Sequence, residues 1–142
     1  MTERYAIGLG GQKCASSWVW EVLARHPDIA ATPEKELDFF SYRHDRGTAW
    51  YAAQWSGPGL RLESSPSYLH DPRAPGRLAR FAPDARLFVT LRDPVERAYS
   101  HHLHEIAKGH IAPMPFAEAI RANSDYLALG IYATALKRWQ AR

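Results

Sequence analysis

The order of apolar and polar positions divides this chain into short extended runs and amphipathic stretches. Tyr5-Ala-Ile-Gly-Leu9 is a continuous apolar run of the length of a buried strand. From Ser16 to Arg25 the pattern turns helical, with Ser16 or Ser17 as N-cap and His26-Pro27-Asp28 as the stop. Thr32 to Lys35 reads as a loop, Gly47 to Trp55 as an aromatic helix, and Ser56-Gly-Pro-Gly59 as a turn. Leu60 to Glu63 is a short strand that leaves through the loop Ser64-Ser-Pro-Ser-Tyr68, and Pro75 to Phe81 is a short helix. Arg86-Leu-Phe-Val-Thr-Leu91 is the clearest strand, with the apolar, β-branched and aromatic content that suits the middle of a parallel sheet. Pro94 opens a helix reaching to about Lys108. Two more follow, Pro115 to Asn123 and Gly130 to Gln140, the last with Ile131, Ala135, Leu136 and Trp139 on one face.

Strands alternating with helices predict an α/β fold, a P-loop-like three-layer arrangement around a central parallel sheet. Its 142 residues suit one domain, spanning 1–142. Only three strands are predicted, and the last helix leaves its apolar face without a partner. The domain is therefore expected to be incomplete at its carboxyl end.

Composition narrows the classes. With 46% hydrophobic and 23% charged residues, and with 5 Trp, 7 Tyr and 5 Phe, the chain has the makings of a folded core. A net charge of +3, spread rather than clustered, suits an anionic ligand and predicts no nucleic-acid partner. The single cysteine, Cys14, excludes an internal disulfide. No signal-peptide pattern and no membrane-length apolar run are visible, which predicts a cytoplasmic protein without a membrane partner.

The chemistry concentrates in three places. The first is Gly8-Leu-Gly-Gly-Gln-Lys13, followed by Cys14, Ala15, Ser16 and Ser17. A strand, a glycine turn, a lysine and a helix start together make a holder for phosphate. The hydroxyl that would directly follow the lysine in a triphosphate-binding loop is displaced by Cys14 and Ala15. That spacing disfavours a magnesium-dependent kinase, which stays open as an alternative. The second is Arg92-Asp-Pro-Val-Glu-Arg-Ala-Tyr-Ser100 at the carboxyl end of the best strand, where ligands of open α/β sheets collect. Arg92 and Ser100 suggest a second anion site and so a ligand with two separated phosphates, the alternative being that Arg92 pairs with Asp93 or Glu96 at the helix start. The third is Glu36, beside the apolar run Leu37 to Phe40, where desolvation would make it a usable base. The histidines His101, His102 and His104 offer metal-like spacing, but a helix puts His102 away from the other two, and no metal is predicted.

Together these blocks resemble the sulfotransferases that use 3′-phosphoadenosine 5′-phosphosulfate (PAPS), and most closely the bacterial and heparan sulfate branch. The resemblance rests on Ile7 to Lys13, His26 to Ile29, Lys35 to Phe40, Glu63 to Leu69 and Leu91 to Ser100. It implies that Gln12, Lys13, Cys14, Ala15, Ser16 and Ser17 bind the 5′-phosphosulfate and that Arg92 and Ser100 bind the 3′-phosphate. It implies Glu36 as general base, Lys13 as stabiliser of the leaving phosphate, no metal, and a small-molecule or carbohydrate hydroxyl or amine as acceptor. Two positions depart from the family pattern: Ala15 stands where glycine is usual, and Ser64 where many heparan-branch members have lysine. Family members also continue for about another hundred residues, within the usual range of α/β domains. A truncated, non-catalytic nucleotide-binding remnant is the competing reading.

Overall fold

The computed structural model describes residues 3–142. Four strands, β1 (Tyr5–Gly8), β2 (Ile29–Ala31), β3 (Leu60–Ser64) and β4 (Arg86–Phe88), form one parallel sheet in the order β2-β3-β1-β4. Parallel neighbours cannot be joined by tight turns, so each connection carries a helix. The helices are α1 (Ser16–Ala24), α2 (Gly47–Ala52), α3 (Ala74–Phe81), α4 (Pro94–Ala107), α5 (Phe116–Ala122), α6 (Asp125–Ala128) and α7 (Tyr132–Gln140). In register, Ile7 of β1 lies opposite Glu63 of β3 and Leu87 of β4.

The main core is aromatic. Phe39 stacks on Tyr51 with centroids 4.5 Å apart, Phe40 meets Tyr68 edge-on at 5.4 Å, and Phe81 packs against Tyr5 and Tyr51. These rings join Tyr5, Ile7 and Leu9, alternate residues of β1 and its continuation, in one cluster. A smaller cluster of Ala98, Ala119 and Tyr126 ties α4 to α5 and α6.

The expected α/β architecture is present, with five local corrections. The short strand β2 adds to the three expected strands. Its Ile-Ala-Ala core carries little strand propensity, and it is extended because it pairs with β3 through Ile29 and Leu60. The strand β4 stops at Phe88 rather than Leu91 and lies at an edge of the described sheet, not in its middle. Beyond Phe88 the backbone turns to the loop after β1, with Thr90 N donating to Gly10 O at 3.1 Å. Helix α1 is not capped by a serine: its N-cap is Ala15, in a left-handed conformation, with no side-chain cap. Helix α2 ends at Ala52, three residues short of the expected Trp55. The face of α7 does find a partner, since Ala135 and Trp139 are buried and Trp139 Nε1 donates to the carbonyls of Tyr68 and Leu69. Ile131 lies outside that helix, 61% exposed. Among the described residues no helix is long and apolar enough to cross a membrane.

Candidate active site

In a parallel sheet all strands release their chains at the same end, and a cavity of about 810 Å³ opens there. The segment after β1 contributes Gln12, Lys13, Ala15, Ser16 and Ser17 to its walls. The segment after β2 adds Glu36, Asp38 and Tyr42, and that after β3 adds Ser67, His70 and Asp71. Arg92 follows β4, and Ser100 and His104 come from α4. Residues from three distant blocks of sequence, Lys13, Glu36 and Arg92, thus share one cavity.

The loop after β1 is shaped for an anion. Gly10 has φ +88°, and a Cβ there would lie 2.2 Å from Pro66 Cα. Gly11 has φ +81°, and its Cβ would lie 2.8 Å from Thr90 O, so no other residue fits at either position. Lys13 and Ala15 also turn left-handed, with φ 64° and 61°. Among the described residues no hydrogen bond takes the amides of Gln12, Lys13, Ala15, Ser16 or Ser17. Successive free N–H groups, a helix start and an ammonium group are the donor set that phosphate or sulfate needs. Cys14 alone departs from the expected phosphate loop. Its side chain is 4% exposed and turns away from the cavity, with Sγ 3.6 Å from the Tyr132 hydroxyl, and its amide donates to Gly11 O. Burial holds the Tyr132 hydroxyl protonated, with its pKa pushed up to about 12, and it donates to Arg92 O.

Arg92 sits beside α4, where Asp93 caps the helix by accepting from Val95 N and Glu96 N at 3.0 Å. Its guanidinium lines the cavity while also reaching Glu96 at 3.2 Å, the helical pairing that the motif also allows. Both partners are largely exposed, so the pair is weak and opens readily to a ligand.

Glu36 faces the cavity from a left-handed residue, φ 69°, and its carboxylate contacts Lys35 Nζ at 2.6 Å. The side chain is 47% exposed, so the desolvation expected from its apolar neighbours is not realised; Leu37, Phe39 and Phe40 point into the core instead. The buried carboxyl lies elsewhere. Glu63 is fully enclosed, and burial pushes it up to about 7 against the opposing hydrogen bonds of Ser65 and Tyr68.

The far wall brings in residues to which no role was expected. Asp38 receives the Ser67 hydroxyl at 2.6 Å and is raised above the usual carboxylate range by partial burial. Asp71 is held below that range by a two-pronged contact from Arg73. Burial lowers His70. Of the three clustered histidines only His104 reaches the cavity; His101 and His102 are both buried against Tyr126, so His104, not His102, is the one set apart. Tyr51 and Trp55 belong to the core, and Tyr42, 73% exposed, is the aromatic residue at the cavity. Ser64 is buried and off the cavity wall.

Known proteins share this chain's sequence pattern and fold. No family model matches the chain. It is 32% identical over 145 residues to human heparan sulfate glucosamine 3-O-sulfotransferase 3B1, covering 94% of this chain and 37% of that protein. It is 31% identical to human bifunctional heparan sulfate N-deacetylase/N-sulfotransferase 3, covering 92% of this chain and 18% of the relative. A solved structure, a sulfotransferase from Alicyclobacillus acidocaldarius, superposes with a TM-score of 0.88 at 26% identity, over 99% of this chain and 69% of that one. Over nearly its whole length the chain is similar to sulfotransferases. It spans little more than a third of the 3-O-sulfotransferase and under a fifth of the bifunctional enzyme.

Proposed function

We propose that this chain carries the donor site and the base of a sulfuryl transfer from PAPS to a hydroxyl or amine of a small-molecule or carbohydrate acceptor. The observation that carries the reading is the shared cavity: Lys13 and the free loop amides on one wall, Arg92 and Ser100 on another, and Glu36 beside them. Two separated cationic sites suit a nucleotide with phosphates at both ends of its ribose. The amides of the loop, with the Ser16 and Ser17 hydroxyls, would hold the 5′-phosphosulfate, and Arg92 with Ser100 the 3′-phosphate. Glu36 would take the proton from the acceptor as its oxygen or nitrogen bonds to sulfur. Lys13 would neutralise the charge left on the phosphate oxygen as its bond to sulfur breaks, releasing adenosine 3′,5′-bisphosphate. Positioning and electrostatics then supply most of the rate. Lys35 fits the scheme, since its contact with one Glu36 oxygen orients the carboxylate and leaves the other oxygen for the acceptor.

Calorimetry with adenosine 3′,5′-bisphosphate tests the donor site. Lys13→Ala and Arg92→Ala should each weaken binding about 10- to 100-fold, the worth of a charge-assisted contact. Parent-like affinity in both variants would falsify the assignment. Acceptor-dependent transfer from labelled PAPS, lowered about 100-fold or more in Glu36→Gln, separates an enzyme from a binding remnant.

A further inference from the structure

Beneath the cavity lies a buried carboxyl that the proposed chemistry does not use. Glu63 lies near the end of β3 with no exposed surface. Its Oε1 accepts the Ser65 hydroxyl in a short 2.5 Å contact, and its Oε2 lies 3.4 Å from the Tyr51 hydroxyl. Because the single Ser65 proton is directed at Glu63, the Ser65 oxygen is left as an acceptor, and Asp38 N donates to it at 2.9 Å. The neighbouring amide, Phe39 N, donates to the Tyr68 hydroxyl at 2.9 Å, and Glu36 N donates to Ser64 O at 3.2 Å.

Those amides belong to a segment under strain. Glu36 and Asp38 both have left-handed backbones, φ 69° and 52°, although neither is glycine, and both line the cavity. A non-glycine residue persists there only where its surroundings over-determine it. The Ser65 contact supplies that constraint at Asp38, and Glu63 dictates the orientation of Ser65.

We propose that Glu63 is a positioning residue: by orienting the Ser65 hydroxyl it fixes the strained 36–38 turn, and so holds the Glu36 carboxylate in the cavity. Its catalytic meaning rests on the sulfuryl-transfer reading, while the structural coupling does not. Burial pushes Glu63 up to about 7. The groups that face it are the Tyr51 hydroxyl from α2, Ser65 and Tyr68 from the segment after β3, and the Asp38 carboxyl from the turn above. Its charge state therefore changes near neutrality, which gives a spectroscopic handle on the coupling.

Glu63→Gln keeps the side-chain shape and removes the charge, and Ser65→Ala removes the intermediary. Amide NMR of the full chain is the direct test. The parent's Asp38 and Phe39 resonances should move between about pH 5 and pH 8, keep that movement in Asp38→Asn, and lose it in Glu63→Gln. Ser65→Ala should exchange the Asp38 amide about tenfold or more faster. Resonances indifferent to Glu63, or moving equally in Glu63→Gln, overturn the proposal. Affinity for adenosine 3′,5′-bisphosphate should stay within about twofold, since the Glu63 and Ser65 side chains bond to Tyr51, Asp38 and each other and to none of residues 12–17. In transfer assays with PAPS, Glu63→Gln should lower kcat about tenfold in the parent and add nothing in a Glu36→Gln background. Equal losses in both backgrounds would reduce Glu63 to fold maintenance and overturn the positioning role. A parent that binds no bisphosphate overturns the sulfuryl-transfer reading alone, and the NMR result still decides the coupling.

Discussion

Among the described residues four other than glycine take left-handed backbones, and each lines the cavity: Lys13, Ala15, Glu36 and Asp38. Such conformations cost on the order of 1–2 kcal/mol for an L-residue, so strain is concentrated where ligand contacts are expected. Ala15 is the one whose side chain brings no polar contact in return. Ala15→Gly removes the Cβ penalty at φ 61° and loses part of the gain to a more flexible unfolded chain. The expected outcome is a net stabilisation of up to about 1 kcal/mol in urea unfolding. At Ala119, a helical position in α5 buried against Ala98 and Tyr126, the same change should cost about 1 kcal/mol from the backbone and more for the lost methyl contacts. A loss at Ala15 equal to that at Ala119 would show that its left-handed geometry stores no strain.

At the scale of elements, α4 brings the second cationic site to the cavity, and its first turn sets how firmly Arg92 is held. Glu96 competes for that guanidinium across one helical turn. Glu96→Gln should tighten adenosine 3′,5′-bisphosphate by up to about fivefold, within the range of an exposed pair, and the gain should vanish in high salt. Weaker binding would mean instead that Glu96 orients Arg92 for its ligand. Elements with a strong local signature were legible from the residues: the apolar run of β1, the proline-started α4, and the lysine and arginine at strand ends. The strand β2 was not, because Ile-Ala-Ala becomes extended only through pairing with β3. Nor was the four-residue α6, which is held by tertiary contact with α4 through Tyr126. Asp38, Ser67 and His70 reach the cavity by the path of loops between distant strands, and no local spacing encodes that convergence. Glu36 lines the cavity, but its solvation was not legible, because Leu37, Phe39 and Phe40 turn into the core while its own side chain turns out.

For the molecule as a whole, the buried Glu63 ties stability to pH in an unusual direction. Most carboxylates in folded proteins are stabilised as anions, and Asp71, held down by Arg73, contributes stability that is lost as pH falls. Glu63 has the opposite sign. Its folded pKa of about 7 lies above the ordinary value of 4.5, so the folded state favours the protonated form. The contribution is fully present below pH 4.5 and is lost progressively as pH rises through about 7. A tenfold difference in proton affinity between folded and unfolded chains is worth about 1.4 kcal/mol, so the loss comes to roughly 3 kcal/mol. His44, His70 and His101 are lowered by burial and act on the acid side, since each must be charged as the chain unfolds below about pH 6.5. Unfolding free energy should therefore peak in the mildly acidic range and decline toward pH 8, before any lysine or tyrosine titrates. Glu63→Gln isolates this contribution, because an amide cannot ionise and neither the histidines nor Asp71 are altered. Urea unfolding of parent and variant across this range should show the difference between them changing by roughly 3 kcal/mol in the variant's favour from acid to alkaline pH. Parallel curves would mean that Glu63 keeps an ordinary carboxylate affinity for protons, through water reaching it beneath the 36–38 turn, and the decline above neutrality would then need another origin.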